Sequence, residues 1–168
     1  MCLVVRREAG KLRRYCHLGT GNYHTGTARL YTDFSLMTSS RQITRDVHQL
    51  FMQLTGLGRA KKLRKLLQSP FTLQPGLLEM IDFEIAEAES DRPAEVTIKV
   101  NSVSDPTMIQ ALYRASRAGV RINLIVRGVC CLRPGVPGVA ENITVRSIVG
   151  RFLAHSRIYS FHNAGDRQ

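Results

Sequence analysis

The tightest constraint on this chain lies between residues 94 and 128. Val96-Thr97-Ile98-Lys99-Val100 has the β-branched content of a strand. Asp105-Pro106 then offers a side chain that caps a helix and a proline suited to its first turn, and the helix they begin runs through Ala118 to a stop at Gly119. Val120 to Val126 is a second, largely apolar strand. Strand, helix and strand so close together predict a βαβ unit, with the two strands parallel and the crossover right-handed. The fold class is therefore α/β, and Ile143 to Val149 and Arg157 to Phe161 add two further strand candidates.

The rest of the chain reads less evenly. Residues 1 to 8 alternate loosely between apolar and basic, Glu8-Ala9-Gly10-Lys11 is a turn signal, and Arg13 to Leu18 returns as a second strand, which predicts a hairpin. Ile43, Val47, Leu50, Phe51 and Leu54 form one apolar helical stripe, with Ser39 and Gln42 as a capping box and Gly56 or Gly58 as the end. Ser69-Pro70 and Gln74-Pro75-Gly76 interrupt the pattern twice, which places a subdomain boundary near residue 70. Leu77 to Glu89 is expected to be an amphipathic helix with Leu77, Leu78, Ile81, Ile85 and Ala88 inward and its acidic face in solvent.

Charge narrows the partner. Twenty-four Lys and Arg stand against 13 Asp and Glu, a formal charge of +11, and this points to a polyanion such as nucleic acid, a nucleotide or polyphosphate. The run Arg59, Lys61, Lys62, Arg64 and Lys65 is either part of such a contact or, the favoured reading, the wet side of a helix whose leucines face inward. No apolar run reaches the roughly 18 to 20 residues of a membrane span, and the N-terminal run is too short for a secretory signal, so a cytoplasmic location is expected. Cys2, Cys16, Cys130 and Cys131 lack metal-type spacing and are expected to be buried free thiols.

Ligands of βαβ units meet the chain beyond the carboxyl ends of the parallel strands, where Arg127-Gly128 falls. A guanidinium there reaches phosphate oxygens with its planar fork, or else serves as an ordinary strand-end ion pair. His155 stands just before the last apolar strand, and strand periodicity places Arg157 on its face, an arrangement suited to general acid, base or nucleophilic chemistry at phosphorus with a cation alongside. A lone histidine is more commonly structural. Gly19-Thr20-Gly21-Asn22 can present amides to an anion but lacks the Walker and GxGxxG patterns. Tyr31 offers a ring for a nucleobase, or is a partly buried strand aromatic.

Three stretches together resemble the C-terminal half of bacterial polyphosphate kinases of the long-chain-synthesising type. They are HLGTGNYHTGTARLYTDFSLMT at 17 to 38, PFTLQPGLLEMIDFEI at 70 to 85, and IQALYRASRAGVRINLIVRGVCCLRPGVPGVAENITVRSIVGRFLAHSRIYSF at 109 to 161. The resemblance implies reversible transfer of the terminal phosphoryl group of ATP to polyphosphate through a phosphohistidine, with Mg²⁺, on two phospholipase D-like α/β domains. On that basis residues 1–70 correspond to the end of the first such domain and 71–168 to the start of the second, with a mixed sheet containing the βαβ unit. It further implies that Tyr31 contacts adenine, Arg127 binds nucleotide phosphate, and His155 contacts ATP and assists transfer, with ATP or ADP and inorganic polyphosphate as partners.

The departures shape the expectation equally. The family's phosphorylated histidine sits in a KIHAK-like segment upstream of the position of Met1, as do the arginines implicated at the metal-bound phosphates; His17 and His24 do not match it by motif. Phe161-His162-Asn163-Ala164-Gly165-Asp166 stands where the family typically has FENGGD. A chain of this extent is thus expected to keep part of a nucleotide pocket, to be inactive alone, and to self-associate, as the family's members oligomerise; membrane association is expected only within a larger complex. The alternatives are a basic polyanion- or nucleic-acid-binding module and a truncated reading frame without a role of its own.

Overall fold

In the computed structural model, which describes residues 1–56 and 63–166, the chain begins with the expected hairpin. β1 (Cys2–Glu8) and β2 (Lys11–Gly19) are antiparallel, and the pairing of Glu8 with Lys11 leaves a two-residue turn. Ala9 and Gly10 make it with φ of 46° and 77°, the left-handed geometry that follows the twist of the strands. A single turn, α1 (Thr25–Ala28), leads to β3 (Tyr31–Thr32) and then β4 (Ser35–Thr38), which pairs along the other side of β2. Apolar side chains stay open on this sheet, among them Leu12 and Met37.

The apolar stripe forms α2 (Arg41–Leu54), and it buries Val47 completely while Leu54 remains exposed. The capping box does not form: the N-cap is Ser40, its hydroxyl caps nothing, and its own amide donates to Thr38 Oγ1. Gly56, at φ 71°, follows the helix end as expected. Buried Asp46 accepts at Oδ2 from the amides of Arg64, Lys65 and Leu66 at 2.9, 2.6 and 3.1 Å. Arg64 and Lys65 therefore lie in a non-helical segment tied to α2, which overturns the helical reading of that part of the basic run; Arg59, Lys61 and Lys62 fall outside the described residues.

α3 (Leu73–Glu89) starts four residues earlier than its pattern suggests. Pro75 lies in the first turn, where a missing N–H removes no helical bond, so the proline opens this helix and does not delay it. Its acidic residues divide: Glu79, Asp82 and Glu89 are exposed as expected, whereas two are not. Glu84 is fully buried and Glu87 nearly so. Glu84 accepts from the amides of Glu95 and Asn163, and Glu87 holds the Arg92 guanidinium through two contacts of 2.6 and 2.7 Å.

The βαβ unit is present as read: β5 (Glu95–Val100), α4 (Pro106–Arg117) and β6 (Arg121–Val126), with β5 and β6 parallel. Asp105 caps α4 by accepting from Met108 N at 2.8 Å, and Gly119 turns the chain at φ 98°. β7 (Ile143–Arg146) adds in parallel beside β6, and β9 (Ile158–Phe161) adds antiparallel beside β5, so the four-stranded sheet is mixed, in the order β7-β6-β5-β9. Val96, Ile98, Ile122, Leu124 and Val126 point to one face, where Ile81 of α3 and Ala111, Leu112 and Ala115 of α4 cover them. By strand alternation Thr97, Lys99 and Asn101 belong to the opposite face.

A further pairing joins the two parts of the chain. β8 (Leu153–Ala154) runs parallel to β3, Tyr31 opposite Leu153 and Thr32 opposite Ala154, and Leu153 N donates to Leu30 O at 2.8 Å. All four cysteines are free; Cys16 alone among them is fully buried, and Cys2 and Cys131 are exposed, contrary to the expectation of buried thiols. Among the described residues no helix is long and apolar enough to cross a membrane.

Candidate active site

The polar face of the four-stranded sheet carries the candidate site at the carboxyl ends of β5 and β6. Both strands continue their pairing one step past their last residues, through Arg127 N to Val100 O and Gly128 N to Asn101 O. A Cβ on Gly128 would lie 3.1 Å from the Asn101 carbonyl, so a residue without a side chain is what lets the two strand ends close up here. Arg127 and Asn101 are thereby fixed side by side.

His155 reaches them from the segment between β8 and β9. Its Nδ1 lies 3.4 Å from Arg127 Nη1 and 3.5 Å from Asn101 Nδ2. A guanidinium has only donors, so Nδ1 acts as acceptor and the neutral imidazole carries its proton on Nε2. The ring of Tyr31, brought in by the pairing of β3 with β8, meets the imidazole edge to face with centroids 5.6 Å apart. Burial foremost, then the guanidinium groups of Arg157 and Arg127, hold His155 below its ordinary value of 6.5; Asp33 opposes the shift and Lys99 adds to it. The ring is thus uncharged at neutral pH, with a donor nitrogen set among cations.

Two residues not singled out from the sequence, Lys99 and Asn101, complete the cluster. Lys99 donates to the Ser156 carbonyl at 2.7 Å, the Ser156 hydroxyl at 2.8 Å and the Ala154 carbonyl at 3.5 Å. Asn101 stands two residues further along the same strand face. The alternation Lys99, Asn101 at the end of a strand preceding a helix is the signal that would have found them. Arg157 does not share a strand face with His155, because β9 begins only at Ile158; its Nη1 donates to the His155 carbonyl at 3.3 Å.

The Gly19-Thr20-Gly21-Asn22 loop is not an anion cradle. Thr20 N is spent on Phe34 O, and the Asp33 carboxylate occupies the place where a Cβ of Gly21 would stand. His17 pairs through Nδ1 with the Tyr23 hydroxyl at 2.6 Å, and His24 caps α1 by accepting from Thr27 N, so neither belongs to the cluster. Among the described residues no three His, Cys, Asp or Glu side chains converge to hold a metal ion. These residues do not by themselves make a Mg²⁺ site.

Residues 66–168 match the model of polyphosphate kinase C-terminal domain 2, and residues 1–60 that of C-terminal domain 1. The chain belongs to the polyphosphate kinase family. It is 61% identical over 168 residues to a polyphosphate kinase of Pseudomonas aeruginosa, covering all of this chain and 24% of that one. Against the polyphosphate kinase of Neisseria meningitidis serogroup C the identity is 60% over 165 residues, 98% of this chain and again 24% of the relative. The crystal structure of polyphosphate kinase from Porphyromonas gingivalis superposes with a TM-score of 0.87 at 38% identity, over 96% of this chain and 27% of that one. This α/β fold is thus that of a polyphosphate kinase, and the chain spans about a quarter of the length of the curated relatives it matches.

Proposed function

We propose that this chain carries an adenine-nucleotide and phosphate-binding site of a polyphosphate kinase, whose reaction is reversible transfer of the terminal phosphoryl group of ATP to polyphosphate. The observation that carries the reading is the convergence of Tyr31, Arg127 and His155, from three separate segments, on one polar sheet face. In this reading Tyr31 supplies a ring for the adenine, worth about 1–3 kcal/mol per stacked base. Arg127 and Arg157 neutralise phosphate charge. His155, neutral with its proton on Nε2, donates that proton toward a phosphoryl oxygen as charge develops there. Phosphoryl transfer asks of protein mostly such positioning and charge neutralisation. Mg²⁺ belongs to the family reaction, and the described residues do not gather three His, Cys, Asp or Glu side chains to hold it.

The domain assignment, 1–70 and 71–168, belongs to the same proposal and is supported by the break between the two matched family regions, 60 to 66. The location is proposed to be cytoplasmic. Titration calorimetry of the chain with ATP and with tripolyphosphate tests the site. Tyr31→Ala is expected to weaken ATP by about tenfold or more and to leave tripolyphosphate unchanged, whereas Arg127→Ala weakens both. Equal binding of ATP, tripolyphosphate and single-stranded DNA, with steep salt dependence and indifference to Tyr31, would instead establish the general polyanion-binding module.

A further inference from the structure

We propose that Lys99 is the positioning residue of His155, clamping the peptide groups on both sides of it so that Nδ1 faces Arg127 and Asn101. The ammonium has three protons, and three acceptors meet it: the carbonyl of Ala154 before the histidine, and the carbonyl and hydroxyl of Ser156 after it. The segment carrying the imidazole is held from both flanks by one side chain. Ser156 is 2% exposed, so its hydroxyl has little access to water as an alternative partner. Lys99 itself is fixed by strand pairing on both sides, opposite Ile125 of β6 and Ile158 of β9. With its donors directed at main chain and Ser156, the ammonium is not a free phosphate ligand; its effect on chemistry runs through His155. Arg157 Nη1, on the His155 carbonyl, is a second fastening, but Arg157 is exposed.

The groups facing the imidazole come from every surrounding element: Arg127 beyond β6, Lys99 from β5 and Asn101 just after it, Arg157 ahead of β9, and Tyr31 and Asp33 from β3 and the residues after it. Replacing Lys99 by a neutral side chain removes one of three cations and releases both flanking carbonyls. The imidazole then turns away from Arg127 and Asn101, its titration midpoint moves up toward that of a free histidine, and the Nδ1–H tautomer becomes populated.

This inference rests on the reading of His155 as a phosphate-facing group, and its test is made without nucleotide so that the two can fail separately. ¹⁵N-histidine NMR of the full chain follows all five imidazoles through pH in wild type, Lys99→Met, Lys99→Arg and Ser156→Ala. Lys99→Met is expected to raise the His155 midpoint and mix its tautomers, with the other four imidazole spectra unchanged, while Lys99→Arg restores most of the wild-type curve. A folded Lys99→Met chain whose His155 midpoint and tautomer match wild type overturns the proposal. Should Lys99→Met not fold, Ser156→Ala decides, because it deletes one acceptor without stranding a charge: a smaller change in the same direction supports the clamp, and an unchanged His155 spectrum overturns it. Absence of ATP binding by wild type, with the NMR responses present, removes the nucleotide-site reading and leaves the clamp standing.

Discussion

Glu84→Gln is the most exacting test of how this fold is held. The carboxylate of Glu84 is fully buried in α3, and its two oxygens accept from the amides of Asn163 at 2.6 Å and Glu95 at 3.0 Å. One side chain thus joins the helix to the first residue of β5 and to the turn after β9. Glutamine keeps the shape but replaces one acceptor by an NH₂ group, so one of the two amides meets a donor. A hydrogen bond to a charged group contributes about 1.5–3 kcal/mol, and a stranded buried amide costs about 1–3 kcal/mol. These figures overlap in what they count, so the expected loss is about 2–3 kcal/mol. For a chain of 168 residues this corresponds to a fall in Tm of about 4–12 °C. Glu84→Leu, which strands both amides, is expected to cost about twice as much. Urea melts followed by circular dichroism give the free energy, and amide exchange gives the location: the Glu95 and Asn163 amides should accelerate most. A glutamine variant within about 0.5 kcal/mol of wild type, with both amides still protected, would refute the argument that this carboxylate fastens the three elements.

Three further outcomes follow. Ala9→Gly relieves a left-handed residue in the hairpin turn and should stabilise the hairpin, by up to about 1 kcal/mol in urea melts after the entropy gained by the unfolded chain is subtracted. Asp46→Ala removes the acceptor of three amides and should speed tryptic cleavage after Arg64 and Lys65 more than tenfold, read by mass spectrometry of timed digests. Because the folded state holds His155 below 6.5, it binds fewer protons than the unfolded chain in the window below that value. The stability due to neutral His155 is therefore complete above about pH 6.5 and declines as pH falls through the folded pKa; the slope should be absent in His155→Gln.

Much of the fold was legible because its signals are local. Asp105-Pro106 and Gly119 bound α4 within the residues they control, and Ala9-Gly10 marks its own turn. Pro75 was misread because a proline at the start of a helix and a proline that breaks one look alike until the N-cap is known. The exposed-face reading of α3 fails only at Glu84 and Glu87, and for a different reason. Glu84 is buried because its partner amides belong to Glu95 and Asn163, and nothing near residue 84 announces either. At the candidate site, the strand-end rule singles out Arg127 and the sequence patterns single out Tyr31 and His155, and the structure brings the three together. Lys99 is marked in the sequence only by its alternation with Asn101, and its hold on the His155 segment is not legible near residue 99 because its acceptors lie at Ala154 and Ser156.

The pairing of β3 with β8 involves only two residue pairs, yet it brings Tyr31 to His155. Two rungs are few beside the apolar core under the four-stranded sheet, so this ladder is expected to open locally at a lower cost than unfolding the βαβ unit. An affinity measured for a nucleotide would then be the intrinsic affinity multiplied by the fraction of chains with the ladder paired. Ligand would slow exchange at the Leu153 amide and leave Ile98 and Leu124 untouched, and a disulfide drawn across the ladder would tighten binding without adding a single contact to the ligand.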